Sequence, residues 1–270
     1  MTTPVALSIA GSDPSGGAGI QADLKAFSAM EVYGAAALTL ATVQNTQGVL
    51  DVALMEPDFV AAQVSAVLRD IDVHAVKIGA LGSAGIVIAV ADALAGYAGP
   101  IVLDPVMIAK SGDPLLHADA VTELRRRLVP MATLLTPNLP EAAWLTGGEV
   151  ARDTADAEAQ GEALIAAGAA AVLLKAGHGS GSGANDLLLR RGAEAVSLPA
   201  PRIETRNTHG TGCSLSAAIA ARLARGEDIE TAVRTAKTWL TGAIAAADSL
   251  GIGSGQGPVH HFHALWRDRG

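Results

Sequence analysis

A chain of 270 residues, half of them apolar but only 3% aromatic, is long enough for one large α/β domain around an aliphatic core. A net charge of −8 argues against nucleic acid or an anionic membrane surface as a partner, and a single cysteine leaves no internal disulfide and no paired-cysteine metal site. No run approaches the ~20 apolar residues of a membrane helix, and MTTPVALSIAGSD lacks the basic start of a signal peptide, so the expected location is the cytoplasm.

In chain order, VALSIA (5–10) predicts a buried strand that runs into GSDPSGGAGIQADLKA (11–26). Its glycines let the backbone pass close to a ligand. Asp23 falls on the first turn of the helix expected over 19–30, as a helix-end charge or a ligand contact. Gly17, Gly19 and Ala22 also fit a dinucleotide fingerprint, which needs an acid at the end of the second strand. That strand, ALTLATV (37–43), ends instead in QNTQG, which argues against NAD; a Walker A pattern is absent as well. Gln44 presents a donor and an acceptor in one plane, a match for a heteroaromatic ring with an amino group beside a ring nitrogen, or for a loop backbone.

A helix is expected over 57–71, a strand over 75–79, a helix over 84–96 and a strand over 100–104. Asp104 at that strand's end suits magnesium, which takes hard oxygen ligands and keeps waters. Lys110, Ser111 and Gly112 follow in a segment able to close over phosphate. After a helix over 118–128 and a strand over 133–137 comes TPNLPEAAWL. Asn138 and Glu141 have capping-box spacing, and Glu141 could equally face a metal–phosphate cluster. Helices over 139–147 and 154–168 precede AVLLK (171–175), where Lys175 closes a buried strand, a costly place for a charge without an anion. GHGSGSGAND (177–186) reads as a flexible loop or a flap beside a nucleotide, and 187–203 as a β-hairpin turning at Gly192.

NTHGTGCSLSAA (207–218) then feeds a helix over about 212–225, with a last one at 228–248. Gly210 and Gly212 leave the first helical amides bare, a ready anion site. Cys213 sits there with the lowered pKa expected of a thiol at a helix N-terminus, as base, nucleophile or small packed residue. His260, His261 and His263 are expected in an exposed tail, since no spaced partners support a metal site. Strands alternating with helices imply a parallel sheet covered on both faces, with active loops at the carboxyl ends of the strands. No composition break marks a linker, so residues 1–270 are expected to form a single domain.

AGSDPSGGAGIQADLK, TVQNTQG, VKIGALGS, VLDPVMIAKSGDPLL, LLTPNLPEAAWLTG and NTHGTGCSLSAAIAA, in this order, resemble the hydroxymethylpyrimidine/phosphomethylpyrimidine kinases of thiamine biosynthesis, within the ribokinase-like superfamily. The motifs span residues 9 to about 221, and NTHGTGC is the most specific. The resemblance implies a three-layer αβα sandwich with a mostly parallel sheet, ATP with Mg²⁺, usually a homodimer, and two successive phosphorylations of an aminopyrimidine alcohol. It places Gln44, Gly11, Asp23 and Met107 at the pyrimidine. Lys175, Asn138, Thr208 and Lys110 fall on the nucleotide side, and Asp104 and Glu141 near magnesium. Gly210, Thr211 and Gly212 form the anion hole, and Cys213 stands where sugar kinases carry an aspartate base. The glycine-rich stretch after Lys175 departs from the KGGH of many relatives. Rival expectations are a pyridoxal kinase of the same superfamily, a binding module for thiamine precursors, and a cysteine hydrolase pairing Cys213 with His209.

Overall fold

Successive residues of a strand face opposite sides of a sheet, and here both sides are covered. The structure, a computed structural model, describes residues 2–107, 118–175 and 185–266. Lys110 and nearly all of the 177–186 patch therefore lie outside the described residues.

The strands are β1 (Val5–Ser12), β2 (Tyr33–Asn45), β3 (Gly48–Leu54), β4 (Ala75–Ile78), β5 (Ile101–Leu103), β6 (Leu134–Leu135), β7 (Ala171–Leu174), β8 (Asp186–Arg190) and β9 (Val196–Leu198). They form one sheet in the order β3-β2-β1-β4-β5-β6-β7-β8-β9. From β2 to β7 in that order the pairings are parallel, while β3 and the β8–β9 hairpin add antiparallel edges.

Along β5, Ile101 and Leu103 enter one core and Val102 the other; β7 divides Val172 and Leu174 from Ala171 and Leu173 in the same way. The first core is closed by α2 (Pro57–Asp70), α3 (Ala84–Ala93), α4 (Ala118–Glu123), α5 (Leu139–Thr146) and α6 (Thr154–Ala166). The second is closed by α1 (Gly19–Ala29), α7 (Thr211–Ala224) and α8 (Ile229–Ala245). The αβα sandwich is as expected. Alanines 217, 218, 220 and 221 of α7 are all fully buried, and such small side chains let this helix lie close to the sheet.

Three local expectations change. The helix expected over 118–128 is α-helical only to Glu123 and continues as a π-turn over Leu124–Leu128 before Pro130, whose missing amide ends it. The strand ending at Val43 runs on to Asn45 and turns back as β3, so Gln44 belongs to a hairpin at the sheet edge. The carboxyl-terminal segment is not an exposed tail. His260 and His261 are buried, the His260 amide donates to the Ala243 carbonyl, and His261 Nε2 lies 2.8 Å from Ser214 Oγ on α7.

Candidate active site

Four helices, α3, α5, α6 and α8, have their first amides capped by the side chains of Ser83, Asn138, Asp153 and Asp228. The start of α7 has no such cap. Its N-cap is Gly210 at φ +76°, and a Cβ there would stand 1.7 Å from the Gly17 carbonyl oxygen. Only glycine therefore lets the 207–212 loop press against the glycine-rich loop after β1. Thr211 Oγ1 donates to the Thr208 carbonyl at 2.7 Å and holds the turn. A Cβ on Gly212 would lie 3.4 Å from Lys175 Nζ, so the bare amides of α7 sit beside a cation. Dipole and ammonium together make a strong anion site.

Lys175 Nζ donates to Asp104 Oδ1 at 2.8 Å and stands 4.0 Å from Glu141 Oε2. Thr136 Oγ1 and Ser216 Oγ donate to the two oxygens of Asp104, each at 3.1 Å. Burial alone would raise the Asp104 carboxyl, but Lys175 and Lys77 outweigh it and hold it below the carboxylate range. Glu141 is different: burial pushes it up to about 7, and Asp104 adds to the rise against the pull of Lys175. The capping reading of the Asn138–Glu141 pair is borne out. Asn138 Oδ1 accepts the Glu141 amide and Glu141 Oε2 accepts the Asn138 amide, each at 2.8 Å, while the same glutamate borders the lysine. Among the described residues no three His, Cys, Asp or Glu side chains are placed to cage a metal. Two carboxylates sharing one ammonium, one of them reluctant to ionise, nevertheless fit a magnesium ion held mostly through water.

Cys213 is half-buried, and the expected low pKa is corrected. Burial pushes the thiol up to about 11, and Asp23 and Asp104 add to that against Lys77 and the Gly19 amide. The helix terminus is outweighed by lost solvation. Lys77, wholly buried in β4, holds both oxygens of Asp23 at 2.8 and 2.9 Å, and Ser8 donates to Asp23 at 2.6 Å. Asp23 is thus fully enclosed. Gly11 is likewise buried, and Met107 is 1% exposed within the core.

A cleft of about 360 Å³ is lined by Gln44, Arg206, His209 and Gln256, among others. His209 Nε2 lies 2.7 Å from Asp13 Oδ2 and 3.4 Å from Gln44 Nε2. Asp13 also accepts the amides of Ser15, Gly17 and Ala18. His209 is thus turned to an aspartate of the first loop, which does not support its pairing with Cys213 as a hydrolase base. Sequence reasoning missed Asp13, Lys77, Thr136 and Ser216. Lys77 carried a signal, a lysine in the middle of an otherwise apolar buried strand.

Residues 13–260 match the phosphomethylpyrimidine kinase family. The hydroxymethylpyrimidine/phosphomethylpyrimidine kinase of Rhizobium meliloti is 54% identical to this chain, covering 98% of it and 100% of the relative. That of Escherichia coli is 53% identical, covering 97% and 98%. Among solved structures, a phosphomethylpyrimidine kinase from Clostridium difficile is similar at TM-score 0.79 and 40% identity, over 90% of this chain and 100% of that one. A Bacillus subtilis pyridoxal kinase, solved as an ADP complex, is similar at TM-score 0.87 and 34% identity, over 97% and 99%. The fold is ribokinase-like, and the chain belongs to the phosphomethylpyrimidine kinase family.

Proposed function

We propose that the chain transfers the γ-phosphoryl group of ATP to the hydroxymethyl oxygen of 4-amino-5-hydroxymethyl-2-methylpyrimidine, and then a second one to the phosphate so formed. The observation that carries this is the convergence of the uncapped start of α7 with Lys175, Asp104 and Glu141. Gly210 and Gly212 offer backbone amides to the phosphoryl group in flight, Thr211 holds the turn with its own amide on the Thr208 carbonyl, and Lys175 neutralises the group from the side. Asn138 and Thr208 border the nucleotide. Asp104 and Glu141 would hold Mg²⁺, which when bound neutralises the phosphate oxygens. Gln44 reads the amino edge of the ring.

Phosphoryl transfer passes through a loose transition state, so positioning and charge do most of the work. A Cys213 thiol held up at about 11 is protonated at neutral pH. It takes the alcohol proton only in its minor thiolate form, and the second step, on an ionised phosphate, needs no base. The enzyme works as a single domain in the cytoplasm. Its partner is a second copy of the chain, supported by the edge hairpin, where Val43 and Leu50 are 55% and 75% exposed.

A pyridoxal kinase is the second reading, favoured by the likeness to solved pyridoxal kinases. ATP consumption with the aminopyrimidine alcohol, with pyridoxal and with neither decides between them. Turnover of the pyrimidine and its monophosphate is expected; turnover of pyridoxal alone overturns the assignment, and turnover of neither removes both.

A further inference from the structure

Thr42, Gln44, His209 and Asp13 form one chain of polar contacts, and its hydrogens can be counted. Asp13 is 2% exposed and accepts three backbone amides, from Ser15 at 2.8 Å, Gly17 at 3.2 Å and Ala18 at 2.8 Å. His209 and Ser15 outweigh the burial that would raise the Asp13 carboxyl, and hold it down at about 2. Asp13 is therefore a carboxylate with no proton to give. His209 Nε2, 2.7 Å from Asp13 Oδ2, must be the donor.

That fixes what Gln44 can do. With its Nε2 toward His209 at 3.4 Å and its Oε1 toward Thr42 Oγ1 at 3.0 Å, two donors meet at the imidazole. The single Thr42 hydroxyl hydrogen is then also claimed twice, by Gln44 and by the Ser12 carbonyl, which lies 3.0 Å away. Exchanging the amide oxygen and nitrogen, atoms that only the hydrogen-bond network distinguishes, removes both conflicts. The Gln44 oxygen then shares the His209 hydrogen with Asp13. The Gln44 NH₂ donates to Thr42 Oγ1, and Thr42 donates to Ser12. One lone pair and one N–H remain on the outer edge of the amide, in the cleft that Gln44 and His209 line.

We propose that Asp13 and His209 are positioning residues that lock the amide of Gln44, carbonyl toward His209 and NH₂ toward Thr42, and so set which ring edge the site takes and which way round it sits. Resting on the kinase reading, this puts the exocyclic amino group of the ring on the His209 side and the adjacent ring nitrogen on the Thr42 side. A 4-oxo pyrimidine, with a carbonyl next to a ring N–H, presents the inverted pattern. It can be matched by rotating the amide against the lock, or by turning the ring over, which carries its 5-hydroxymethyl group away from the position that the amino ring gives it.

The test compares kcat/KM for the 4-amino alcohol with that for its 4-oxo analogue. The wild-type chain should favour the amino ring by about 100-fold or more, because the oxo ring leaves polar groups unpaired. His209→Leu frees the amide, and the preference should fall by about tenfold or more while the KM for ATP stays put. His209→Gln, which restores a donor, should recover part of the preference. An unchanged preference in His209→Leu overturns the lock. A variant that fails to fold does not stall the test, because the imidazole ¹⁵N shifts of the unliganded wild-type chain report the tautomer directly. A proton on Nε2 is required, and a bare Nε2 overturns the proposal. Should the wild-type chain phosphorylate no pyrimidine, the kinase reading falls, and the tautomer alone decides the lock.

Discussion

Lys175 Nζ is shared between two buried carboxylates, 2.8 Å from Asp104 and 4.0 Å from Glu141. One positive charge thus faces two acids; burial makes Glu141 resist ionising, and Asp104 adds to that against the pull of Lys175. Glu141→Gln separates charge from capping, because glutamine serves equally at the third position of a capping box. The variant should fold with little change in Tm, lose activity, and need more Mg²⁺ for what remains. Wild-type activity and Mg²⁺ dependence would leave Glu141 a capping residue only.

What the sequence made legible, and what it hid, follow from how far apart the causes lie. The strands β1, β4, β5 and β7 stand out because they are buried on both faces and read as mainly apolar runs, interrupted by Ser8 in β1 and Lys77 in β4. β3 hides because it is an edge strand whose Leu50 faces solvent, so no buried run marks it. The start of α7 was visible because its causes, two glycines and a threonine, are local. Asp13 and His209 meet across 196 residues of chain, a pairing that no spacing rule reveals. The thiol of Cys213 departs from expectation for the same reason: the helix terminus is local, while its burial and the carboxylates that add to it, Asp23 on α1 and Asp104 after β5, come from distant parts of the chain.

With its thiol near 11, Cys213 should react slowly with iodoacetamide at pH 7.5 and faster as pH climbs. General-base help is worth ~10²–10⁴-fold at most and less for a loose transition state, so Cys213→Ala should slow phosphorylation of the alcohol by about tenfold. Phosphorylation of the monophosphate should fall less. The wild-type alcohol step should also quicken above pH 8, and this rise should vanish in Cys213→Ala. Equal losses in both steps would mean that the thiol only shapes the loop.

His261 is buried against Ser214, and burial lowers its pKa to about 3. The unfolded chain binds its proton more tightly than the folded one. The stability tied to this neutral ring is therefore complete above about pH 6.5 and lost as pH falls toward 3. Replacement by asparagine keeps an acceptor for Ser214 without a titrating ring. The Tm difference between wild type and His261→Asn should shrink on acidification from pH 7 to 4; a constant difference would show that the ring does not remain neutral.

Lys77 and Asp23 form an ion pair with neither side chain exposed. Removing one member of such a pair leaves a buried charge and costs about 3–5 kcal/mol, whereas removing both can be close to neutral. Asp23→Asn should therefore lower Tm by roughly 10 °C in a chain of this size. The double variant Asp23→Leu with Lys77→Met should recover much of that. Additive losses in thermal denaturation would contradict the pairing.

Gly210 and Gly212 are two residues apart and should respond to alanine in opposite ways. At Gly210 the backbone is left-handed, with φ +76°, and a Cβ would stand 1.7 Å from the Gly17 carbonyl. Gly210→Ala must move two loops, so both Tm and activity should fall. At Gly212 the backbone is helical, and a Cβ meets nothing closer than Lys175 Nζ at 3.4 Å. Alanine fits there, and by stiffening the first turn of α7 it should leave Tm unchanged or raise it slightly, by up to ~1 kcal/mol of helix propensity. The same methyl would occupy the space between the helical amides and Lys175, where the proposed reaction places the phosphoryl group. Gly212→Ala should accordingly fold well and lose kcat by two orders of magnitude or more, roughly the cost of removing one oxyanion donor. Differential scanning calorimetry alongside steady-state kinetics gives both numbers on one sample. A Gly212→Ala protein that keeps wild-type kcat would show that the transferred phosphoryl group does not pass over the start of α7.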